Sequence, residues 1–325
     1  MPDDYPVRPA QPADPGLVRD ALAGLRADPK WLPAKLFYDE EGCGLFYKIT
    51  ELPEYYLTRT ELGLLRAIAP AIAAQFGAPA ALIEYGASDE TKAGFLLDQV
   101  RADRTPVFAA YVPVDVAATA LRAMRARLAR RRPALRVWPI VADFLGPVRL
   151  PHETEGMARL GFFPGSTIGN LDPDQAVDFL AGARRMLGQG ARMLVGADVK
   201  KDPAILIPAY DDAAGVTAAF NRNILARLNR EAGADFDLSS FEHRALWNDA
   251  AGRIEMHLVS RRAQVAHVDG EPIHFAAGET IHTENSYKYT QDGFRALAGA
   301  AGWHSPQMWT DRDGLFSLHL LEDGG

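Results

Sequence analysis

The chain has 325 residues, 48% hydrophobic and 24% charged, the composition of a soluble globular protein of one large or two medium domains. Its 35 Lys and Arg against 42 Asp and Glu give a net charge of -7, which argues against a nucleic-acid binder, because phosphate recognition needs a basic excess. A single cysteine, Cys43, excludes an intrachain disulfide and a cysteine-held zinc, and no apolar run is long enough to span a membrane.

Residues 1–15 are polar and Pro-rich and read as a loose leader without a secretory pattern, so a cytoplasmic protein is expected; a monomer is expected as well. A short helix is predicted from Asp14, with Val18, Ala21, Leu22 and Leu25 at helical spacing. Residues 31–60 are dense in aromatics, among them Phe37, Tyr38, Phe46, Tyr55 and Tyr56, and show no clean period. Two readings stand for this segment: a packed irregular cap, or the wall of a ligand pocket built from tyrosines. Cys43 is placed in a loop between Gly42 and Gly44, in a structural role.

From Glu61 short apolar runs alternate with helices. A helix over 61–76 leads to a strand at 81–86, a loop and a helix at 93–100. A strand ending at Asp115, an Arg-rich helix and a strand at 135–144 follow. Residues 159–170, a helix at 173–188 and a strand at 191–199 complete the series. Continuous rather than alternating apolar runs point to strands buried on both faces, hence a doubly wound parallel sheet. Ligands of such sheets sit beyond the carboxyl ends of the strands. The six arginines of 122–132 read as a solvated helix face rather than an RNA contact.

After Val199 the pattern changes. Residues 200–233 are mostly helical, with Val216, Phe220, Ile224 and Leu228 in one stripe. The segments 253–268 and 279–289 read as antiparallel strands, and a helix at 291–303 and strands near 306–310 and 315–321 follow. The α/β core is therefore expected to be discontinuous, 62–200 plus 288–325. A second, α+β domain for substrate would comprise 1–61 and 201–287.

Three strand ends carry candidate chemistry. Gly86, after the first strand, permits close backbone approach to a ligand. Asp115 can accept both hydroxyls of a ribose. Asp143 can hold an adenine amino group, with Phe144 covering the ring. This set lacks the G-x-G-x-x-G fingerprint of a nicotinamide site. It suits S-adenosylmethionine better than a phosphate-rich nucleotide, since the acids repel phosphates.

Several stretches resemble the histidine N-alpha-methyltransferase family of ergothioneine biosynthesis: KLFYDEEG (35–42), LPEYYLTRTE (52–61), PGSTIGN (164–170), AYDDAAGVTAAFNRN (209–223) and HTENSYKY (282–289). The resemblance runs from about residue 30 onward, and the 209–223 block is highly specific. It implies a Rossmann-like class I methyltransferase core, with S-adenosylmethionine as cofactor and L-histidine as substrate. It also implies threefold methylation of the α-amino group, giving hercynine. By the same resemblance Tyr38, Gly86, Lys92, Asp115, Asp143, Phe144 and Gly165 fall on cofactor-binding positions. Tyr55, Asn170, Tyr210, Glu284 and Ser286 fall on histidine-binding positions, and Thr217 and Met256 line the pocket. Tyr38 and Asn170 are the catalytic candidates. The loop after Gly86, Ala-Ser-Asp-Glu-Thr, departs from the family, whose members often carry a second glycine and fewer acids there.

If 279–288 is a strand, Glu284 and Ser286 share one face, where a carboxylate and a hydroxyl can serve the two imidazole nitrogens. His282 and Lys288 read as structural or rim residues. No H-x-E-x-x-H or similar spacing occurs among the eight histidines, so no catalytic metal is expected. The rival readings are a methyltransferase for another amine, such as tryptophan, and a cofactor-binding module without catalysis.

Overall fold

A computed structural model describes residues 14–87 and 89–324; the expected leader, apart from its last two residues, and Ser88 lie outside them. The chain divides into two compact units. The first comprises Met1–Glu51, Tyr210–Leu246 and Glu255–Glu284, and the second Leu52–Ala209, Trp247–Ile254 and Asn285–Gly325. The expected cut at 61/62 falls inside a continuous helix, Tyr56–Ala73, which explains why the division lies at 51/52 instead. Likewise the later cuts lie at 209/210 and 284/285 rather than 200/201 and 287/288.

The second unit is built on an eight-stranded sheet. Its path runs Trp303–Thr310, Phe316–Asp323, Arg192–Asp198, Ala158–Phe163, Ala80–Tyr85, Phe108–Asp115 and Arg136–Val137, with Ile140–Val141 also paired to Phe108–Asp115. The pairings among the inner strands are parallel, and Phe316–Asp323 is antiparallel to both of its neighbours. All six residues of Ala80–Tyr85 are buried, as an unbroken apolar run covered on both faces requires. The Pro173–Leu187 helix shows how a covering helix is specified. It opens with an Asp172–Gln175 capping box and Pro173, and buries Ala176, Phe179, Leu180, Ala183 and Leu187 at helical spacing. A side chain at Gly161 would strike Leu187 Cδ1 at 2.7 Å, so the glycine lets helix and sheet approach closely.

Two sequence expectations need correction. The strand predicted at 135–144 is two fragments, Arg136–Val137 and Ile140–Val141. Pro139 between them has no N–H to give the ladder, and Asp143 lies two residues beyond the second fragment. Cys43 is in a helix, Glu40–Thr50, whose first turn Asp39 caps by accepting the Gly42 N–H at 2.7 Å.

The first unit carries most of a four-stranded sheet, ordered Lys30–Trp31, Thr280–Tyr287, Arg253–Ser260, Phe241–Asn248. The Phe241–Asn248 strand has no counterpart in the sequence reading. Helix Val216–Glu231 buries Phe220, Ile224 and Leu228, as the stripe predicted, and Phe37 stacks on Phe220 with centroids 4.5 Å apart. Asp39 also accepts from Asn223 and Arg230 of that helix, which ties the aromatic segment down as packed structure. The Arg-rich helix, Ala118–Arg131, is partly ion-paired: Arg127 clasps Glu90 and Arg132 meets Asp98 at 2.5 Å.

In the second unit, a fully buried carboxylate, Asp198, ends the Arg192–Asp198 strand. Tyr56 Oη donates to its two oxygens at 2.9 and 2.8 Å, Lys201 Nζ lies 2.6 Å away, and Lys288 Nζ lies 2.8 Å away. Removing the carboxylate leaves one buried and one half-buried ammonium group without their shared counter-charge. Asp198→Ala is therefore expected to destabilise the protein by about 3–5 kcal/mol. Calorimetry should show a melting temperature lower by roughly 4–7 °C; a change of a degree or less would mean that the lysines find equal partners elsewhere.

Candidate active site

Parallel pairing puts the carboxyl ends of three strands side by side in the second unit. Tyr85 is in register with Val114, Val114 with Ile140, and Asp115 with Val141. Gly86 follows at φ +72°, a conformation that glycine adopts without strain, and its N–H donates to the Val114 carbonyl at 2.9 Å. A Cβ at Gly86 would lie 3.7 Å from the Phe144 ring, so the turn and the aromatic face each other closely. Phe144 is held by Phe163 and Phe179, with centroids 5.4 and 5.6 Å away. One Asp115 oxygen accepts the Ala117 N–H at 2.7 Å, and one Asp143 oxygen accepts the Leu145 N–H at 2.9 Å. Burial raises the pKa of Asp115, against the lowering effect of the Ala117 and Val116 N–H groups.

The structure thus places Gly86, Asp115 and the Asp143–Phe144 pair at or just beyond the carboxyl ends of neighbouring strands. Two carboxylates, an aromatic face and a glycine turn fit a nucleoside that offers hydroxyl and amino hydrogens. A diphosphate would meet net negative charge there.

Lys92 and Gly165 meet at a second point of this unit. Glu61, fully buried on the Tyr56–Ala73 helix, accepts the Gly165 N–H at 2.9 Å with each oxygen and pairs with Lys92 at 2.7 Å. Lys92 is therefore neutralised by a side chain the sequence reading did not single out. Gly165 has φ +80°, and the turn it opens leads through Ser166, φ +57°, to the short helix that ends at Asn170. Asn170 is half-buried, Tyr55 and Ser286 are buried, and Ser286 Oγ accepts from Lys288 Nζ at 2.8 Å. Lys288 is thus structural and fully buried rather than at a rim.

Tyr38, Tyr210, Thr217, Met256 and Glu284 belong to the first unit. Tyr38 packs edge-on against Phe46 and Phe220, at 6.1 and 6.0 Å. Tyr210, Thr217 and Met256 are buried and Glu284 is half-buried. Asp212 caps the Val216–Glu231 helix by accepting the Val216 and Thr217 N–H groups at 2.9 and 2.7 Å. Against burial, which raises the Asp212 pKa, the buried Thr217 side chain faces the same carboxylate and helps to hold that pKa down. Along Thr280–Tyr287 burial alternates up to Thr283; Glu284 and Asn285 are then both half-buried before Ser286 is buried. Asn285 and Tyr287 both reach Asp172 Oδ1, at 3.2 and 3.1 Å, and Ser286 pairs with Lys288, the i, i+2 alternation of a strand.

One amide organises these positions. Asn221 Nδ2 bonds His243 Nδ1 at 2.8 Å and donates to the His257 carbonyl at 3.1 Å, while its Oδ1 accepts from the Thr283 hydroxyl at 2.8 Å. His243 Nε2 donates to the Tyr210 carbonyl at 2.8 Å, and Thr283 also donates to the Met256 carbonyl at 3.0 Å. Burial lowers the pKa of His243, so the imidazole is neutral and its tautomer is fixed by these two partners. Sequence reasoning missed Asn221, His243 and Thr283; the only signal was that Asn221 lies inside the 209–223 block.

Comparison with known proteins gives a consistent picture. A family model described as histidine-specific methyltransferase, SAM-dependent, matches residues 17–323. A histidine N-alpha-methyltransferase of Mycolicibacterium smegmatis is 45% identical over 96% of this chain and 96% of its own. One of Mycobacterium tuberculosis is 41% identical over 94% of each. A solved S-adenosylmethionine-dependent methyltransferase of Clostridium acetobutylicum superposes with a TM-score of 0.51 at 9% identity, over 87% of this chain and 99% of that one, a likeness of fold alone. The expected class I fold is thereby shown. No helix among the described residues is long and apolar enough to cross a membrane.

Glu84, just before the Gly86 turn, supplies a pH test. Burial raises its pKa to about 8 from 4.5, and the Tyr111 hydroxyl donates to it. The native protein therefore keeps a proton that the unfolded chain releases, and stability falls as pH rises through this window, by at most about 1.4 kcal/mol per pH unit. Glu84→Gln should flatten urea-derived stability between about pH 5 and pH 8; an unchanged slope would place the ionisation elsewhere.

Proposed function

The chain belongs to the histidine-specific, S-adenosylmethionine-dependent methyltransferases, and from that membership we propose that it methylates the α-amino group of L-histidine three times. The product is hercynine, formed in the first step of ergothioneine biosynthesis. The observation that carries this reading most directly is the 45% identity, over 96% of the chain, to a histidine N-alpha-methyltransferase.

The bound cofactor supplies a methyl group already activated on a sulfonium. The chain's residues bind and orient. Asp115 takes the ribose hydroxyls, Asp143 the adenine amino group, and Phe144 covers the ring over the Gly86 turn. Lys92 and Gly165, tied by Glu61, form the other part of the cofactor site. Tyr55, Asn170, Tyr210, Glu284 and Ser286 bind histidine. Glu284 accepts an imidazole N–H, and Thr217 and Met256 line the pocket. The amine attacks only when uncharged, so its proton has to leave first, and Tyr38 is the candidate to pass it on. The Asn170 side-chain oxygen and the tyrosine faces suit the cation that grows with each transfer. Orientation of amine and methyl group can supply much of the acceleration.

Incubating purified protein with histidine and S-adenosylmethionine should give, by mass spectrometry, histidine heavier by three methyl groups; no methylated histidine would overturn the proposal. Asp115→Ala should weaken S-adenosylmethionine binding by about tenfold or more, since each charge-assisted hydrogen bond is worth about 1.5–3 kcal/mol. Calorimetric affinity equal to the parent's would remove Asp115 from the cofactor site. Glu284→Ala should lower kcat/KM on histidine by roughly 10–150-fold and raise relative activity on tryptophan and phenylalanine. Loss on histidine without that relaxation would assign Glu284 to folding or to the transfer step.

A further inference from the structure

We propose that Glu255, His257 and His282 form a binding site for a divalent transition-metal ion of the zinc class. All three belong to the first unit. Glu255 and His257 are two residues apart on the Arg253–Ser260 strand, so their side chains leave the same face. The Thr280–Tyr287 strand lies next to it in the sheet and brings His282 alongside. One possible ligand atom from each residue lies within 4.8 Å of those of the other two. His257 Nε2 is 3.1 Å from a Glu255 oxygen, close to the spacing of neighbouring ligands in a tetrahedral zinc site. The His257 and His282 rings stack with centroids 4.7 Å apart and planes inclined by 23°.

With Nε2 as the ligand atom, the other His257 ring nitrogen, Nδ1, is left buried without a hydrogen-bond partner. Two imidazoles and one carboxylate are the donor set of open zinc sites, where a water or small ligand completes the shell. No other such group occurs among the described residues. The sequence gives no warning of it, because 25 residues separate the E-x-H pair from His282 and strand pairing alone unites them.

The test uses the full chain, stripped of metal by chelator and dialysed against zinc in the absence of histidine. The parent should bind about one zinc per chain, and cobalt in its place should give the intense visible absorption of a four-coordinate site. His257→Gln and His282→Gln should each weaken zinc binding by about tenfold or more. His274→Gln, at an exposed position on the Glu271–Phe275 strand, should leave it intact. A parent that binds no zinc, or variants that bind it as the parent does, would overturn the site. If a variant fails to fold, the cobalt spectrum of the parent decides, and a six-coordinate, pale spectrum counts against the proposal.

Discussion

A lone carboxylate taken out of water costs several kcal/mol, and Asp198 is tolerated only because a phenol and two ammonium groups surround it. Those partners come from separate places in the second unit. Tyr56 opens a helix, Lys201 follows the strand that Asp198 ends, and Lys288 follows the Thr280–Tyr287 strand. The Asp198 N–H in turn donates to Ser166 Oγ at 2.9 Å, in the turn that carries Gly165. Glu61, on the same helix as Tyr56, binds that turn from the other direction through the Gly165 N–H. A side chain at Gly196 would collide with the Glu61 carboxylate, so even the strand's glycine is set by this ionic packing. The positions of Gly165, Asn170 and Ser286 all follow from where these buried charges can be satisfied.

Much of the second unit was legible because its signals are local. Unbroken apolar runs, helical stripes and glycine turns each declare themselves within a dozen residues, and the strand ends at Gly86 and Asp115 followed from them. The reading failed where one atom decides the matter. Pro139 removes an N–H and splits a strand that hydropathy alone draws as whole. Asp39 turns an aromatic stretch without periodicity into a capped, anchored helix.

The candidate site was legible in its residue types but not in its supports. Lys92 came only from the family resemblance; its neutralisation by Glu61 was not legible, because Glu61 lies 31 positions earlier and looks like an ordinary helical charge. The Asn221 amide escaped for the same reason. Its three partners, His243, the His257 carbonyl and Thr283, come from three different strands, and no periodicity encodes such a meeting. Fully satisfied polar networks of this kind fix a single arrangement of strands and helix, which apolar packing alone would leave freer.

The placement of Phe316–Asp323 bears on how the protein comes to be made. It follows every other strand of its sheet in sequence, yet it lies between two of them. A ribosome delivers the parallel strands first, and chains begin to fold from the N-terminal side as they emerge. Until the late strand arrives, Arg192–Asp198 offers an unpaired edge that includes Met193, Leu194 and Val195, all fully buried in the finished fold. An edge of that kind is a template for pairing with another nascent copy. Closure of the sheet interior by the last strand therefore competes with intermolecular pairing while the chain is being made.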